Sequence, residues 1–335
     1  MEALLTGAGS HVRVEFSPAM AGGSYTISRA AIGFSNGVTL DVTKSRNLAF
    51  GGKPSAVVQS TAPVRTDPVA MTVANGTTVA VTFVVSPGSA PAAGTTNEPS
   101  ACTTARLPSL STATASAFST PTAPHWLGAV YVDGPSRRTV AAFGDSTTST
   151  TGTATAHHGR WSDALTGYGA TVVNAGVSGG SLTQLGVFKS LPGLQRLDML
   201  LSEPHITDLV VLIGENDIYT GVTPAALLAG MSQVLADAQA HHVRAYFCTF
   251  LPRVGSLGWT TTMENERQWL NAAALRSSWL TSHGGTLIDT DALMRNPSVP
   301  GQLAPAYDSG DHAHPNAAGD LVIGNAVGKV LGLIK

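Results

Sequence analysis

Five short apolar runs between Thr139 and Asp289 constrain this chain most: TVAAF, TVVNA, DLVVLI, RAYFCTF and GTLID alternate with stretches of helical composition. Strands separated by helix-length segments cannot pair as hairpins. They pair in parallel, with the intervening helices covering both faces of the sheet. The clearest helical stretches are Pro224 to His241, Met263 to Ser282 and Asn316 to Leu333. In a sheet of this kind ligands bind beyond the carboxyl ends of the strands. The residues that follow each run are therefore the ones to inspect for chemistry.

The preceding half has a different period. HVRVEF alternates, SYTISRAAIGF and GVTLDV follow, and VAMTVANGTTVAVTFVV breaks at Asn75-Gly76. Asn-Gly between apolar runs predicts a hairpin, because both residues tolerate the positive φ of a type I′ turn. Short strands with turn signals predict a β-sandwich. From residue 86 to 124 the chain is rich in Pro, Ala, Ser and Thr without apolar periodicity, which predicts a long surface loop. HWLGAVYVDG then returns as a last strand. The expected domains are 1–134, a β-sandwich carrying the 86–124 loop, and 135–335, the α/β unit. A chain of 335 residues, 43% hydrophobic, is long enough for about two such domains.

Charge narrows the functional classes. The formal net charge is −2 and only 12% of residues are charged. No basic stripe points to nucleic acid or to an anionic membrane. No run approaches the roughly 20 apolar residues of a membrane span, so a soluble protein is expected. MEALLTGAGS lacks the basic and apolar regions of a signal peptide. Abundant Ser, Thr and Gly suit a secreted or periplasmic protein whose signal is absent from this chain, and a cytoplasmic location stays open. Of the two cysteines, Cys248 sits in a buried-strand pattern and Cys102 in a polar stretch; both are expected as free thiols.

The residues after the apolar runs are Gly144-Asp145-Ser146, then Gly176 to Gly179, then Gly214-Glu215-Asn216-Asp217, and finally DSGDHAHPN. They supply a hydroxyl, a histidine, a carboxylate and donors for an oxyanion, the parts that acyl transfer requires. A second serine competes for attention, since Gly176-x-Ser178-x-Gly180 matches the G-x-S-x-G spacing. That spacing is productive when a helix starts directly after the serine. GGSLTQLG is a poor helix start.

FGDS, NAGVSGG, GEND and DHAHPN, in that order, resemble the four blocks of the SGNH (GDSL-type) hydrolases. The β half also resembles, more loosely, the arrangement in bacterial members related to carbohydrate esterases and arylesterases. The resemblance implies a flavodoxin-like three-layer α/β domain behind a jelly-roll-like β-sandwich, and a serine esterase acting through an acyl-enzyme. It makes Ser146 the nucleophile, His314 the base and Asp311 its partner. The oxyanion donors would be the backbone N–H groups of Ser146 and Gly179 and the Asn216 amide. No cofactor and no metal are implied, and the expected partner is a small-molecule or carbohydrate ester. Oligomeric state is silent in the sequence.

Two departures stand out. TTSTTGT follows the nucleophile block where an apolar residue and then an acid or Asn are common, and Glu215 occupies a place often held by Gly. Asp145 reads as a support for the turn. Two other classes compete: a metal-dependent hydrolase built on Asp311, His312 and His314, and a noncatalytic carbohydrate-binding protein. The histidine pairs His157-His158 and His241-His242 lack a matching carboxylate context.

Overall fold

The structure is a computed structural model that describes residues 2–5, 8–16, 24–35, 44–59, 63–85, 127–134, 138–149, 159–188, 190–202, 205–274 and 278–335. The expected loop at 86–124, the run GVTLDV, Cys102, His157, His158 and the end of TTSTTGT lie outside the described residues. Contacts group the chain into two units, Met1–Pro135 and Ser136–Lys335.

The first unit holds strands β1 (Glu2–Leu4), β2 (Gly9–Phe16), β3 (Tyr25–Phe34), β4 (Arg46–Asn47), β5 (Ala56–Val58), β6 (Val64–Arg65), β7 (Val69–Val73), β8 (Thr78–Val85) and β9 (Leu127–Val132). They form two antiparallel sheets. In one, β3 pairs with β4, β5 and β8, and β8 with β1; in the other, β2 pairs with β6, β7 and β9. Alternating residues of both sheets, among them Val12, Val14 and Phe16 from β2 and Ile27, Ile32, Val79 and Val81 from β3 and β8, share one apolar cluster. That burial is the main stabilising term in a unit with short strands.

The Asn75-Gly76 hairpin is not formed. The dipeptide does turn the chain, with Thr77 N–H donating to Ala74 O at 3.1 Å. Only Gly76 takes a positive φ, 82°, so the turn is not type I′. Its flanking strands β7 and β8 belong to different sheets. The apolar faces of both strands pack into the shared cluster, and that burial outweighs local pairing across the turn.

The second unit carries β10 (Thr139–Gly144), α1 (Ser146–Ser149), α2 (Trp161–Gly167), β11 (Thr171–Gly176), α3 (Gly193–Leu201), β12 (Asp208–Leu212), α4 (Glu215–Tyr219), α5 (Pro224–Ala240), β13 (Arg244–Cys248), α6 (Thr261–Trp269), α7 (Ser278–Ser282), β14 (Thr286–Ile288), α8 (Thr290–Met294) and α9 (Ala317–Val330). Its five strands are all parallel, in the order β11-β10-β12-β13-β14. Successive residues of β10 face opposite clusters: Ala141 and Phe143 pack with Leu227, Met231 and Val234 of α5, and Val140 and Ala142 with Trp161, Ile323 and Val327. Helices thus cover both faces, as the apolar runs predict.

The stretch Met263 to Ser282 differs in detail. It begins as α6, passes through a π-helical turn at Leu270–Ala274 and resumes as α7. Asn271, buried in that turn, accepts from Phe250 N–H and donates to Phe250 O. Cys248 is free and buried, and burial pushes its thiol up to about 12. Among the described residues no helix is long and apolar enough to cross a membrane.

Candidate active site

The register of the sheet decides what can meet. Gly144 of β10 pairs with Gly176 of β11 and with Leu212 of β12. The three strands therefore end level, and the loops after them open on one edge. Gly144 must be glycine, because a Cβ there would lie 2.0 Å from Thr148 Oγ1 and 2.7 Å from Leu212 O. The chain turns tightly after it, with Asp145 Oδ1 accepting from Thr147 N–H at 3.0 Å and Asp145 O accepting from Ser149 N–H at 2.9 Å. That turn places Ser146 at the start of α1, half-buried.

Ser146 Oγ lies 2.8 Å from His314 Nε2. His314 Nδ1 lies 2.6 Å from Asp311 Oδ2. An ionised carboxylate only accepts, so Nδ1 carries the proton, the neutral ring accepts at Nε2, and the serine hydroxyl donates to it. The other oxygen of Asp311 takes the N–H groups of Ala313 and His314 and the Ser309 hydroxyl. Partial burial would raise this carboxyl, but the bonds and charge of His314 outweigh it and leave the group far below the usual carboxylate range. The loop is closed behind these residues by Ser309 N–H on His314 O and Asn316 N–H on Tyr307 O. Asn316 also caps α9, accepting from Ala318 and Gly319.

The other sequence-predicted groups lie on the neighbouring loops. Gly179 has φ 67°, a conformation that favours glycine, and its carbonyl accepts from Val187 N–H at 2.7 Å. Its own N–H, like that of Ser146, donates to no acceptor among the described residues. Asn216, buried at the start of α4, donates one amide hydrogen to Gly180 O at 2.9 Å, which ties the third loop to the second. Ser178 is not aligned for attack. It is buried, and its Oγ sits 3.2 Å from Ser149 Oγ, with no histidine or carboxylate bonded to it among the described residues.

Several supporting residues had little signal in the sequence. Asp217 is buried and accepts from Leu182 N–H, Thr183 N–H and the Thr183 hydroxyl, so it fastens the chain just beyond Gly180. Asn174, on β11, donates to Thr148 O and Ser162 Oγ and accepts from Gly176 N–H, which locks α1 against the second loop. Glu215, the departure noted above, is buried in a bond with Arg253 Nε at 3.0 Å and accepts from Leu251 N–H at 2.7 Å. It clamps the loop after β12 to the loop after β13. Asp145 feels this charge: burial raises its pKa, Glu215 raises it further, and Arg253 counters only in part. Arg196 of α3 is also buried, with Nη1 on Ala175 O and its guanidinium 5.2 Å from the Phe143 ring centroid. Burial pulls its pKa down to about 10. Polar residues after a strand are the one signal that could have flagged Asp217 and Glu215; their partners come from other loops.

Asp311, His312 and His314 do not converge. His312 Nδ1 is bound to Asp308 Oδ2 at 2.6 Å, whereas both ring nitrogens of His314 are engaged as described. Among the described residues no three His, Cys, Asp or Glu side chains are gathered as a metal site. The arrangement can take a proton from Ser146 and hold the resulting imidazolium against a fixed carboxylate.

Comparison with known proteins gives one family. The profile of the GDSL-like lipase/acylhydrolase family matches residues 142–321. A search of curated proteins finds no match. Among solved structures, Est24, a carbohydrate acetylesterase from Sinorhizobium meliloti, is similar at 18% identity with a TM-score of 0.49, covering 59% of this chain and 100% of its own. The aryl esterase of M. smegmatis is similar at 17% identity with a TM-score of 0.48, covering 59% and 100%. The esterase EstA from Pseudoalteromonas sp. is similar at 16% identity with a TM-score of 0.46, covering 58% and 97%.

Proposed function

This chain belongs to the GDSL-like lipase/acylhydrolase family, a family of carboxylic ester hydrolases, and from that premise we propose that it is a serine esterase working through an acyl-enzyme on Ser146. One observation carries the reading: the hydrogen-bonded chain from Ser146 Oγ through His314 to Asp311, at 2.8 and 2.6 Å.

In the proposed cycle His314 Nε2 takes the hydroxyl proton as Ser146 Oγ attacks the ester carbonyl, and Asp311 stabilises the imidazolium. The carbonyl oxygen becomes negative and is met by the N–H groups of Ser146 and Gly179 and by the second amide hydrogen of Asn216. His314 then gives its proton to the departing alkoxide, the alcohol leaves, and the acyl group stays on Ser146. A water, deprotonated by the same ring, releases the acid and returns the proton to the serine. We read unit 1–134 as a jelly-roll-like β-sandwich, on the support of its two antiparallel sheets around one apolar cluster. The substrate class is short-chain acyl esters, with acetylated carbohydrate as one candidate.

The test is mass-spectrometric labelling with a serine-directed phosphonate, alongside hydrolysis of p-nitrophenyl butyrate with and without a chelator. A single adduct on Ser146, with activity lost in step and unchanged by the chelator, is expected. Chelator-sensitive activity restored by zinc, without an adduct, would overturn the reading in favour of a metal hydrolase.

A further inference from the structure

The segment after Gly180 exposes three large apolar side chains in close succession: Leu185 at 52%, Val187 at 38% and Phe188 at 46%. They are not scattered surface residues. The segment folds back on the glycine loop, with Val187 N–H on Gly179 O at 2.7 Å and Gly186 N–H on Ser190 O at 3.0 Å. A Cβ built on Gly179 would stand 2.5 Å from Phe188 Cδ2 and 3.3 Å from Val187 Cβ. The Phe188 ring therefore covers the α-carbon of the residue whose N–H faces the oxyanion in the cycle proposed above, while much of the ring stays open to solvent.

Covering an exposed ring at that place with an apolar group is favourable, and in the proposed cycle the reacting carbonyl lies against the N–H of the glycine that this ring covers. We infer that Phe188, with Val187 and Leu185 beside it, is a specificity-determining subsite for an apolar arm of the ester. The substrates that fit best carry a hydrocarbon chain or ring longer than acetyl on at least one side of the scissile bond. Acetyl groups on a fully hydroxylated sugar offer this surface nothing to bury, so of the candidate substrates named above the subsite favours longer acyl or alkyl esters over acetylated carbohydrate. The inference rests on the esterase reading, since it takes Gly179 as an oxyanion donor.

The inference is tested by kcat/KM on two ester series. One varies the acid, from p-nitrophenyl acetate to p-nitrophenyl octanoate; the other varies the alcohol, from ethyl to butyl and benzyl acetate. Each buried methylene is worth about fourfold, so the native enzyme should gain steadily along one series. In Phe188→Ala the ratio of the longest to the shortest ester in that series should fall by about tenfold or more, with Phe188→Leu between the two. A loss along the acid series seats the acyl chain on Phe188; a loss along the alcohol series seats the leaving group there; either supports the subsite. A general folding defect would lower all esters together and leave the ratio unmoved. An unmoved ratio, or a native enzyme without length preference, overturns the inference. Ser146→Ala in the same assay separates the two failures: residual full activity there would refute the esterase reading itself, whereas a dead Ser146→Ala with an unmoved ratio would refute only the subsite.

Discussion

The loop from Asp308 to His314 contains two Asp–His pairs, and among the described residues only one of them reaches a hydroxyl. Both are closed through Nδ1 at 2.6 Å. His314 presents Nε2 to Ser146. His312 instead sits at φ 59° with its ring against Gly255, and its Nε2 has no partner among the described residues. Asp308 also accepts from Gly310 and His312 N–H, so the second pair folds the loop on which the first is carried. The same division recurs elsewhere in this unit. Ser146 faces an imidazole and Ser178 faces another serine; Asn216, the proposed oxyanion donor, holds Gly180 O, and Asp217 fastens the backbone beyond it. A carboxylate bonded to a histidine is a common way to build a loop. A third group in line gives it the geometry a proton relay needs.

The comparison of the serines should produce the largest difference. Ser146→Ala is expected to lower kcat for p-nitrophenyl butyrate on the order of a millionfold, the scale seen when a member of a Ser-His unit is removed from a serine protease. Ser178→Ala should stay within about tenfold, because among the described residues the hydroxyl it loses bonds only Ser149. A reversed ranking would make Ser178 the nucleophile.

The carboxylates come next. Asp311→Asn keeps the shape but lets Nδ1 lose its donor role, and a loss of about ten-thousandfold in kcat is expected. Asp308→Asn should cost about tenfold or less, since an amide oxygen can still accept from Gly310 and His312 N–H. Comparable losses in the two variants would mean that both carboxylates only shape the loop.

Asn216→Ala removes a donor outright and should cost about a hundred- to a thousandfold in kcat. The loss should be nearly constant from acetyl to hexanoyl esters, since the oxyanion is the same atom in each. Asp217→Asn should instead lower the melting temperature more than kcat, because its partners are Leu182 and Thr183 rather than substrate. If Asn216→Ala kept near-native kcat with a lowered melting temperature, it too would be a fastening residue.

The fold and the proposed roles were legible to an uneven degree. The parallel sheet could be read from period alone, because strands buried on both faces must be continuously apolar, as TVAAF and DLVVLI are. Level strand ends then collect whatever follows them, and among those residues it was the resemblance of FGDS, NAGVSGG and GEND to the SGNH blocks, rather than period, that singled out Ser146, Gly179 and Asn216. Partners drawn from distant loops could not be named so. Nothing local to Glu215 announces Arg253, and nothing local to Asp217 announces Leu182. The hairpin expected at Asn75-Gly76 failed for the same reason: a turn signal fixes the turn, while the sheet each flanking strand joins depends on apolar faces far along the chain. Phe188 was equally unreadable, because its meaning lies in covering Gly179.

The smallest expected effect gives Asp311 a signature that does not depend on catalysis. Its carboxyl is held far below the usual range, against the opposing pull of partial burial, by its bonds to His314 and Ala313. A group whose pKa is depressed on folding stabilises the protein fully above its unfolded value, near 4 for Asp, and loses that contribution as pH falls through the folded value. The native protein should therefore melt above Asp311→Asn at pH 5 to 7, with the gap closing as the pH is lowered toward 2. Side chains of the pair are partly open to water, which screens the interaction, so the gap should be a few degrees at most. Asp145 and Asp217, whose carboxyls burial raises, and Asp208, whose carboxyl is lowered, titrate in both proteins and cancel in the difference. Calorimetric melts of the two proteins from pH 7 to pH 2 decide it. A gap that stays constant or widens in acid would mean that the Asp311–His314 bond is not made in solution, and the contrast with Asp308–His312 would lose its basis.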